Sequence, residues 1–468
     1  MLDQSFSADN FLKIFHLENR KGTFNKYLLS EKYINKHEEV KTLFSKKATL
    51  PQDDFDKSLQ DLNKQKEDLL EEHLIETSEA VNSSSFQFAI AKFKSNDKDI
   101  YTINQDAASF FAIKQLQYNI LRTFKVKQSN RYNIVKDVKN ILSTYFPRYL
   151  VKTDVKGFYE SIPQDLLFNK IDENQLLNYK SRNLIKSLIW KYETIKDKSL
   201  VPAGKGIPRG VGVSAFLAEL YMREIDREIM SLHHLVYYAR YVDDIVAIFS
   251  PDSEETKYTY LKEITTIIEA HHLVVNLDPG EKKSFDLRLY DDKCSYDFDF
   301  LGYKFVIRNS IVDELKLSTN KVTKYDERLR VSVSDYNTSS KYNEREARKL
   351  LYMRLRFLTG NFRLINNRKN IKAGVYYTNV LLNQNTSEEI GDLKHLDNLL
   401  TKNVFQIQPY AKLKVDLQKL REEIVRKFSF KAGYDGVVEM SKGIYVKKMR
   451  FHSFDEEDFK KITKVWKY

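Results

Sequence analysis

YYARYVDDIVAIFS runs from Tyr237 to Ser250, and it sets two adjacent carboxylates, Asp243 and Asp244, between two apolar runs. The flanks are β-branched and aromatic, short and strand-like. A hairpin is the plain reading, because Asp is a common turn residue. Two-residue hairpin turns, however, recruit Asn-Gly or Asp-Gly, and here Ile245 follows the pair. Like charges held side by side repel unless a cation sits between them. The stretch therefore predicts a divalent metal site and a third acid elsewhere in the chain.

The third acid follows from the order of elements. YLVKTDVKGFYESIP (Tyr149–Pro163) reads as a strand ending at Asp154 and leading into a helical start. KGIPRGVGVSAFLAELYMREIDREI begins as a loop with three glycines and becomes a helix. The Asp-Asp hairpin follows, then a helix over Glu255–His272 and the short strand LVVNL. Strand, helix, hairpin, helix and strand approximate a split βαβ layout, in which the end of the first strand lies beside the hairpin tip. Asp154, Asp243 and Asp244 then form the trio that two-metal phosphoryl transfer uses, with cations about 3.5–4 Å apart. Hard Mg²⁺ prefers carboxylate oxygen.

The rest of the chain is consistent with a large intracellular enzyme. It has 468 residues, 77 Lys+Arg against 65 Asp+Glu and a net charge of +12, which suits a polyanionic partner. Cys294 is the only cysteine, so no intrachain disulfide or cysteine-based zinc site forms, as in a reducing cytosol. No secretory leader pattern and no long apolar run is present, so no membrane association is expected. Residues 1–80 read as helices, with Leu59, Leu62, Leu69, Leu70 and Leu74 at helical spacing, and NSSS breaks the pattern at Asn82–Ser85. FQFAIAKF (Phe86–Phe93) and IYTI read as a hairpin, and DFDFLGYKFVI as a further strand pair. From about residue 310 the pattern reads as mainly helical and basic.

With these motifs in place, the sequence resembles reverse transcriptases. YVDD (Tyr241–Asp244) is similar to their signature hairpin, TDVKGFYESIP to the motif with the first metal-binding acid, and GIPRGVGVSAFLAELYM to the motif beneath the nascent base pair. NLDPGEKKS resembles the next, lysine-bearing element, and FLGY (Phe300–Tyr303) the primer-grip hairpin. The resemblance implies an α+β right-hand polymerase with a split-βαβ palm, helical fingers, a helical thumb and a C-terminal extension. Its boundaries would be an N-terminal helical region over 1–80, fingers over 81–150, a palm over 151–306 with a fingers insertion at about 164–200, and thumb plus extension over 307–468.

The resemblance also implies roles. Asp154, Asp243 and Asp244, with the carbonyl of Val155, would hold two Mg²⁺ ions, or Mn²⁺ in their place. Tyr159 occupies the position whose ring closes off the sugar 2′ pocket, so the substrate would be a dNTP. Lys283 would protonate the leaving pyrophosphate, with Lys282 as the open alternative. Arg209, Gly210 and Ser214 would belong to the nucleotide site, and Lys98 and Arg131 are the candidates for triphosphate contacts, with a plain surface cation as the rival reading for both. Partners would be nucleic acid (an RNA template or non-coding RNA, and a DNA product), dNTPs, and a homo-oligomeric or companion defence protein.

Departures from the family pattern point to a subgroup. Arg209 stands where glutamine is usual, Ala215 where proline often follows the serine, and Glu219 where asparagine is common. Ile-Pro-Arg-Gly and Ala-Glu-Leu-Tyr resemble bacterial defence-associated and abortive-infection reverse transcriptases. That implies antiphage DNA synthesis in the bacterial cytoplasm, with or without a template. The alternatives are a retron-type enzyme copying a dedicated non-coding RNA and a catalytically silent nucleic-acid-binding protein. In the last third, Lys341–Lys372 holds ten Lys/Arg against Glu344 and Glu346, a surplus of +8, interleaved with Tyr342, Tyr352, Phe357 and Phe362. Basic helices with aromatics suit a thumb that follows a phosphate backbone. Ser453 and Asp455 read as caps of a terminal helix, and Trp466 as its anchor. The pairs His233/His234 and His271/His272 lack further ligands at metal spacing and read as ordinary surface or core histidines.

Overall fold

Leucine and phenylalanine recurring at helical spacing close the first eighty residues into helices Ala8–Lys21, Glu31–Ser45 and Gln52–Asn82, which pack on one another. Phe11, Phe15, Leu70, Leu74 and Val81 are buried between them. The Ser30 hydroxyl caps the second helix at Tyr33 N–H, and the third ends at Ser83, within the expected break. These features come from a computed structural model, which describes all residues except 1, 22–23, 96–97, 174, 252–258, 279, 289–294, 367–368, 383–390, 409–415, 442–443 and 467–468.

The chain divides into two compact units: unit 1 comprises residues 1–129, 153–245 and 257–278, and unit 2 residues 130–152, 246–256 and 279–468. In unit 1, β1 (Ile90–Ser95) pairs antiparallel with β2 (Lys98–Ile103) in the register Ser95↔Lys98. Phe86–Ala89, expected in the strand, precede it. Asp106 caps helix Ala107–Phe124, accepting from Ser109 N–H at 2.7 Å. That helix packs on Ser214–Met230, whose Leu217, Tyr221 and Ile225 are fully buried. β3 (Tyr149–Asp154) ends in unit 1, followed by the short helix Phe158–Ser161. β4 (Leu235–Tyr241) and β5 (Asp244–Phe249) make the expected hairpin, with Val242 and Asp243 at its tip. The helix after it is described from Tyr260 to Ala270, and the first residues expected in it lie outside the described residues. LVVNL is not a strand: it contributes an isolated bridge, Val155 to Val275.

Unit 2 is more mixed than the expected mainly helical, basic C-terminal third. β6 (Ser284–Asp286) pairs antiparallel with the start of β3, Val151 opposite Ser284. β7 (Ser295–Phe300), β8 (Tyr303–Arg308) and β9 (Ile311–Leu317) form an antiparallel meander. Helices Thr319–Ser339 and Glu344–Thr359 then pack together. Gly360 ends the second, and the chain turns into β10 (Asn361–Asn366), paired antiparallel with β11 (Lys369–Gly374). β12 (Val437–Ser441) pairs with β13 (Ile444–Lys448), and β14 (Phe451–Phe454) lies parallel to β10. The helical reading of Lys341–Lys372 fails after Gly360, where the two strands begin. Its aromatics are also mostly core: Phe357 and Phe362 stack at 4.4 Å and pack with Phe454 and Trp466, while Tyr342 is exposed. Trp466 Nε1 donates to Arg328 O at 3.1 Å, and Asp455 forms a capping box with Asp458, as the terminal pattern implied. Among the described residues no helix is long and apolar enough to cross a membrane.

Gly210 shows what the glycine loop is for. Arg209 O accepts the Tyr101 N–H at 2.8 Å, which draws the loop onto β2. Gly210 sits at φ +97°, and a Cβ there would lie 2.7 Å from Ile100 Cγ2 and 2.8 Å from Tyr101 O. Gly210→Ala is expected to lower stability by about 1–3 kcal/mol through overpacking and backbone strain; an unchanged denaturation midpoint would mean that the loop does not bear on β2 in solution.

Candidate active site

The tip of the β4/β5 hairpin answers the question its sequence poses. Val242 adopts φ +60° at the first central position, where a two-residue hairpin favours glycine. A β-branched residue there is strained by roughly 1–3 kcal/mol, so something must hold it. Arg240 Nη1 donates to Val242 O at 2.9 Å. The same guanidinium reaches Glu219 from Nη1 and Nη2 (3.1 and 2.7 Å) and Asp226 from Nε and Nη2, both at 2.8 Å. Tyr238 Oη donates to Asp226 at 2.6 Å. The Arg240 side chain is 6% exposed, and Glu219 and Asp226 11% and 20%. Burial lowers the pKa of Arg240, but the hydrogen bonds and charges of Asp226 and Glu219 outweigh it and raise it overall. Glu219 thus has a partner in the arginine of the signature hairpin itself.

Held in this way, the tip meets the end of β3. Val155 N–H donates to Asp243 O at 3.2 Å. Asn276 grips Asp154 twice: its N–H donates to Asp154 O at 2.8 Å and its Nδ2 to Asp154 Oδ2 at 3.0 Å. Burial, and then the charge of Asp154, push the Asp243 carboxyl above its ordinary range, against the opposing pull of its backbone hydrogen bond and of Arg209 and Lys98. Asp154 and Asp243, both half-buried, therefore lie near enough for the charge of one to act on the other. Hard carboxylate oxygens at this pair, with Asp244 next in the chain, match the donor preference of Mg²⁺ or Mn²⁺, and a bound cation would relieve the crowding of negative charge. Among the described residues no cluster of three or more His, Cys, Asp or Glu side chains is arranged as a metal cage. The fit is one of donor chemistry rather than of a preformed ligand shell.

The other candidate residues fall in distinct places. Tyr159 is half-buried beside the pair, its phenol pKa raised by burial. Arg209 stacks over its ring at 5.1 Å and pairs with Glu160, Nε to Oε1 and Nη2 to Oε2, both at 2.9 Å. Arg209 is therefore committed to Glu160 and covers Tyr159. Lys98 opens β2, is exposed, and acts on Asp243 through its charge. Ser214 is buried, with Oγ donating to Pro208 O at 2.7 Å. Lys283 belongs to unit 2, where its buried ammonium pairs with Glu281 at 2.7 Å; Lys152 pairs with the same carboxylate, and Lys282 lies over the Tyr296 ring at 3.9 Å. Arg131, also in unit 2, donates to Leu301 O at 2.8 Å and so clamps the Leu301–Gly302 turn of FLGY, where both residues have positive φ. Of the histidine pairs, His234 meets Tyr260 Oη at 2.8 Å and His271 meets Glu228 at 2.8 Å.

Asn276, Arg240 and Glu160 are the site residues that motif reading overlooked. Arg240 had a signal, since an arginine inside an apolar strand calls for buried acids, and Glu219 and Asp226 lie seven apart on one helix face. Asn276 had none, because its role depends on a bridge rather than a strand.

Residues 82–305 match the family model "Reverse transcriptase (RNA-dependent DNA polymerase)". Among curated proteins none matches the chain. Among solved structures, a truncated apo telomerase from Candida tropicalis is similar over 50% of this chain and 54% of its own, at 15% identity and TM-score 0.33. Telomerase from Candida albicans with a fragment of telomeric RNA is similar over 72% of this chain and 61% of its own, at 12% identity and TM-score 0.34. The chain thus spans less than two thirds of the length of these two telomerases.

Removing the cation that holds the hairpin tests the geometry directly. Arg240→Gln leaves Glu219 and Asp226 without their counter-charge and is expected to cost about 3–5 kcal/mol, read as a lowered denaturation midpoint; a loss below about 1 kcal/mol would show that the network is not formed. The arrangement of acids lies wholly within the segment, residues 82–305, that matches the reverse transcriptase family model.

Proposed function

We propose that the chain extends a 3′-hydroxyl, or a protein hydroxyl, with dNTPs, releasing pyrophosphate. The observation that carries this reading is the pair Asp154 and Asp243, partly buried at the meeting of β3 and the YVDD hairpin inside the matched segment. Asp154, Asp243, Asp244 and the Val155 carbonyl are the ligands for two Mg²⁺ or Mn²⁺ ions. When bound, such ions offset the charge that develops on the attacking and leaving oxygens. The chain's own residues do the rest. Arg240 fixes the tip, Asn276 orients Asp154, and Tyr159, pressed by the Arg209–Glu160 pair, closes the sugar pocket against a 2′-hydroxyl. Lys98 adds positive charge on the side of Asp243, suited to a triphosphate.

In this reading residues 81–150 and about 164–200 act as fingers, 151–306 as palm, and 307–468 as thumb and extension. The template or guide is RNA and the product DNA. Arg209, Ala215 and Glu219 favour the bacterial defence-associated group, acting in the cytoplasm against phage, alone, as an oligomer or with a companion protein. The Glu219–Arg240 pair gives one of these departures a physical reason: an acid at 219 is matched by the hairpin arginine. Asn at 219 would leave that arginine short of charge.

Two variants test the proposal with labelled nucleotides and Mg²⁺. Asp243→Asn with Asp244→Asn keeps shape while removing charge, and incorporation is expected to fall to background with the fold retained by circular dichroism. Tyr159→Ala is expected to raise the rNTP/dNTP incorporation ratio. Full incorporation by the double variant would overturn the polymerase reading, and an unmoved ratio would reassign Tyr159 to packing.

A further inference from the structure

Unit 2 contains a pocket of about 530 Å³ that shares no residue with the carboxylate site. Its size lies within the range of small-molecule sites, roughly 300–1,000 Å³. The last turn of helix Glu344–Thr359 contributes Arg356, helix Leu417–Lys427 ends on it with Lys427, and β14 and the residue before it bring His452 and Arg450. Phe428 supplies an apolar wall. No aspartate or glutamate lines it.

The lining is wholly basic in its charged residues. Several other arginines of unit 2 are matched by acids: Arg354 pairs with Asp335 at 2.6 Å, Arg348 with Glu344 at 3.3 Å and Arg288 with Asp286 at 2.6 Å. Among the described residues no carboxylate pairs with Arg356 or Arg450, and Lys427 has Glu423 at 3.9 Å and the Tyr352 ring at 5.0 Å. Three permanent cations converging on one concavity repel one another, and an anion placed there removes that repulsion. The crowding is felt by His452, whose imidazole is held below its ordinary pKa by burial and by the charge of Arg356. Gly360 keeps this wall tight, since a Cβ there would lie 2.7 Å from His452 Cδ2.

We propose that this pocket binds a terminal phosphate, either of a free nucleotide or of a nucleic-acid 5′ end. Two guanidinium groups can each give paired hydrogen bonds to phosphate oxygens, which a surface lysine patch cannot reproduce. An imidazole at half burial adds a donor, and the Phe428 wall accommodates a sugar or base edge. A terminal monoester carries more charge than an internal diester and fits a concavity, whereas an internal phosphate is flanked by chain on both sides. The site thus reads the end of a strand or a free nucleotide, separately from the polymerisation chemistry.

The experiment uses the full chain in EDTA, so that metal-dependent nucleotide binding at the carboxylates does not contribute. The probe is a fluorescent hexanucleotide with a 5′-phosphate, against the same hexanucleotide with a 5′-hydroxyl, at 150 mM salt. The phosphorylated probe is expected to bind at least tenfold more tightly. Arg356→Gln with Arg450→Gln is expected to remove roughly ten- to a hundredfold of that affinity, as expected for lost charged hydrogen bonds, with the thermal midpoint unchanged. Arg356→Lys, which keeps charge but not the paired geometry, should fall between them. Competition by ATP at concentrations where adenosine fails assigns the site to free nucleotides; competition by a 5′-phosphorylated strand but not by ATP assigns it to strand ends. Equal affinity for the two hexanucleotides, or an unchanged affinity in the double variant, overturns the proposal. Asp243→Asn with Asp244→Asn serves as the control and should leave this binding intact whether or not the polymerase reading holds.

Discussion

One guanidinium sets the geometry on which the active site depends. Arg240 binds Glu219, Asp226 and the carbonyl of Val242 together, and Val242 is the residue whose backbone is strained. A valine at positive φ is unfavourable in isolation. It persists because the surrounding contacts over-determine it, and the next residue, Asp243, meets the end of β3 through the Val155 N–H. Strain at a site of this kind is an arrangement that a relaxed Asn-Gly turn would not hold. The two acids of YVDD stand where that turn would be, and the helix bearing Glu219 and Asp226 is the base against which the tip is fixed.

Positioning from β3 is equally specific. The backbone of Val155 reaches Asp243, and Asn276 holds Asp154 at both its carbonyl and its carboxylate. Asp243 is thereby held next to Asp154, with burial opposing the charge of Asp243. That opposition is costly in an empty protein and useful in one that takes up divalent cations. The Arg209–Glu160 pair plays a parallel part for Tyr159, covering its ring and limiting its rotation.

Much of this was legible in the sequence, for identifiable reasons. Asp154 could be placed beside Asp243 because strand, helix and hairpin follow one another with clear periodicity. The FLGY turn could be placed because Gly302 marks it. Partnerships were not legible. Arg209 read as a free cation near the nucleotide, since nothing in its spacing reveals Glu160 forty-nine positions earlier. Arg131 and Lys283 read as phosphate contacts, yet one clamps the Leu301 carbonyl and the other pairs with Glu281. The C-terminal third misled for a different reason: its charge and aromatics suggested exposed basic helices, while the chain after Gly360 turns into strands, with Phe362 buried and Phe357 packed against it.

The central claim is that β3 and the hairpin tip share a divalent cation. Iron-mediated backbone cleavage tests it most directly. Fe²⁺ replaces Mg²⁺, and ascorbate with peroxide generates hydroxyl radicals that cut the chain within a few ångströms of the ion. The account predicts cuts at two separated places, next to Asp154 and next to Asp243–Asp244, suppressed by excess Mg²⁺ and absent in Asp243→Asn. Cleavage confined to other segments, or cuts at only one of the two places, would contradict it.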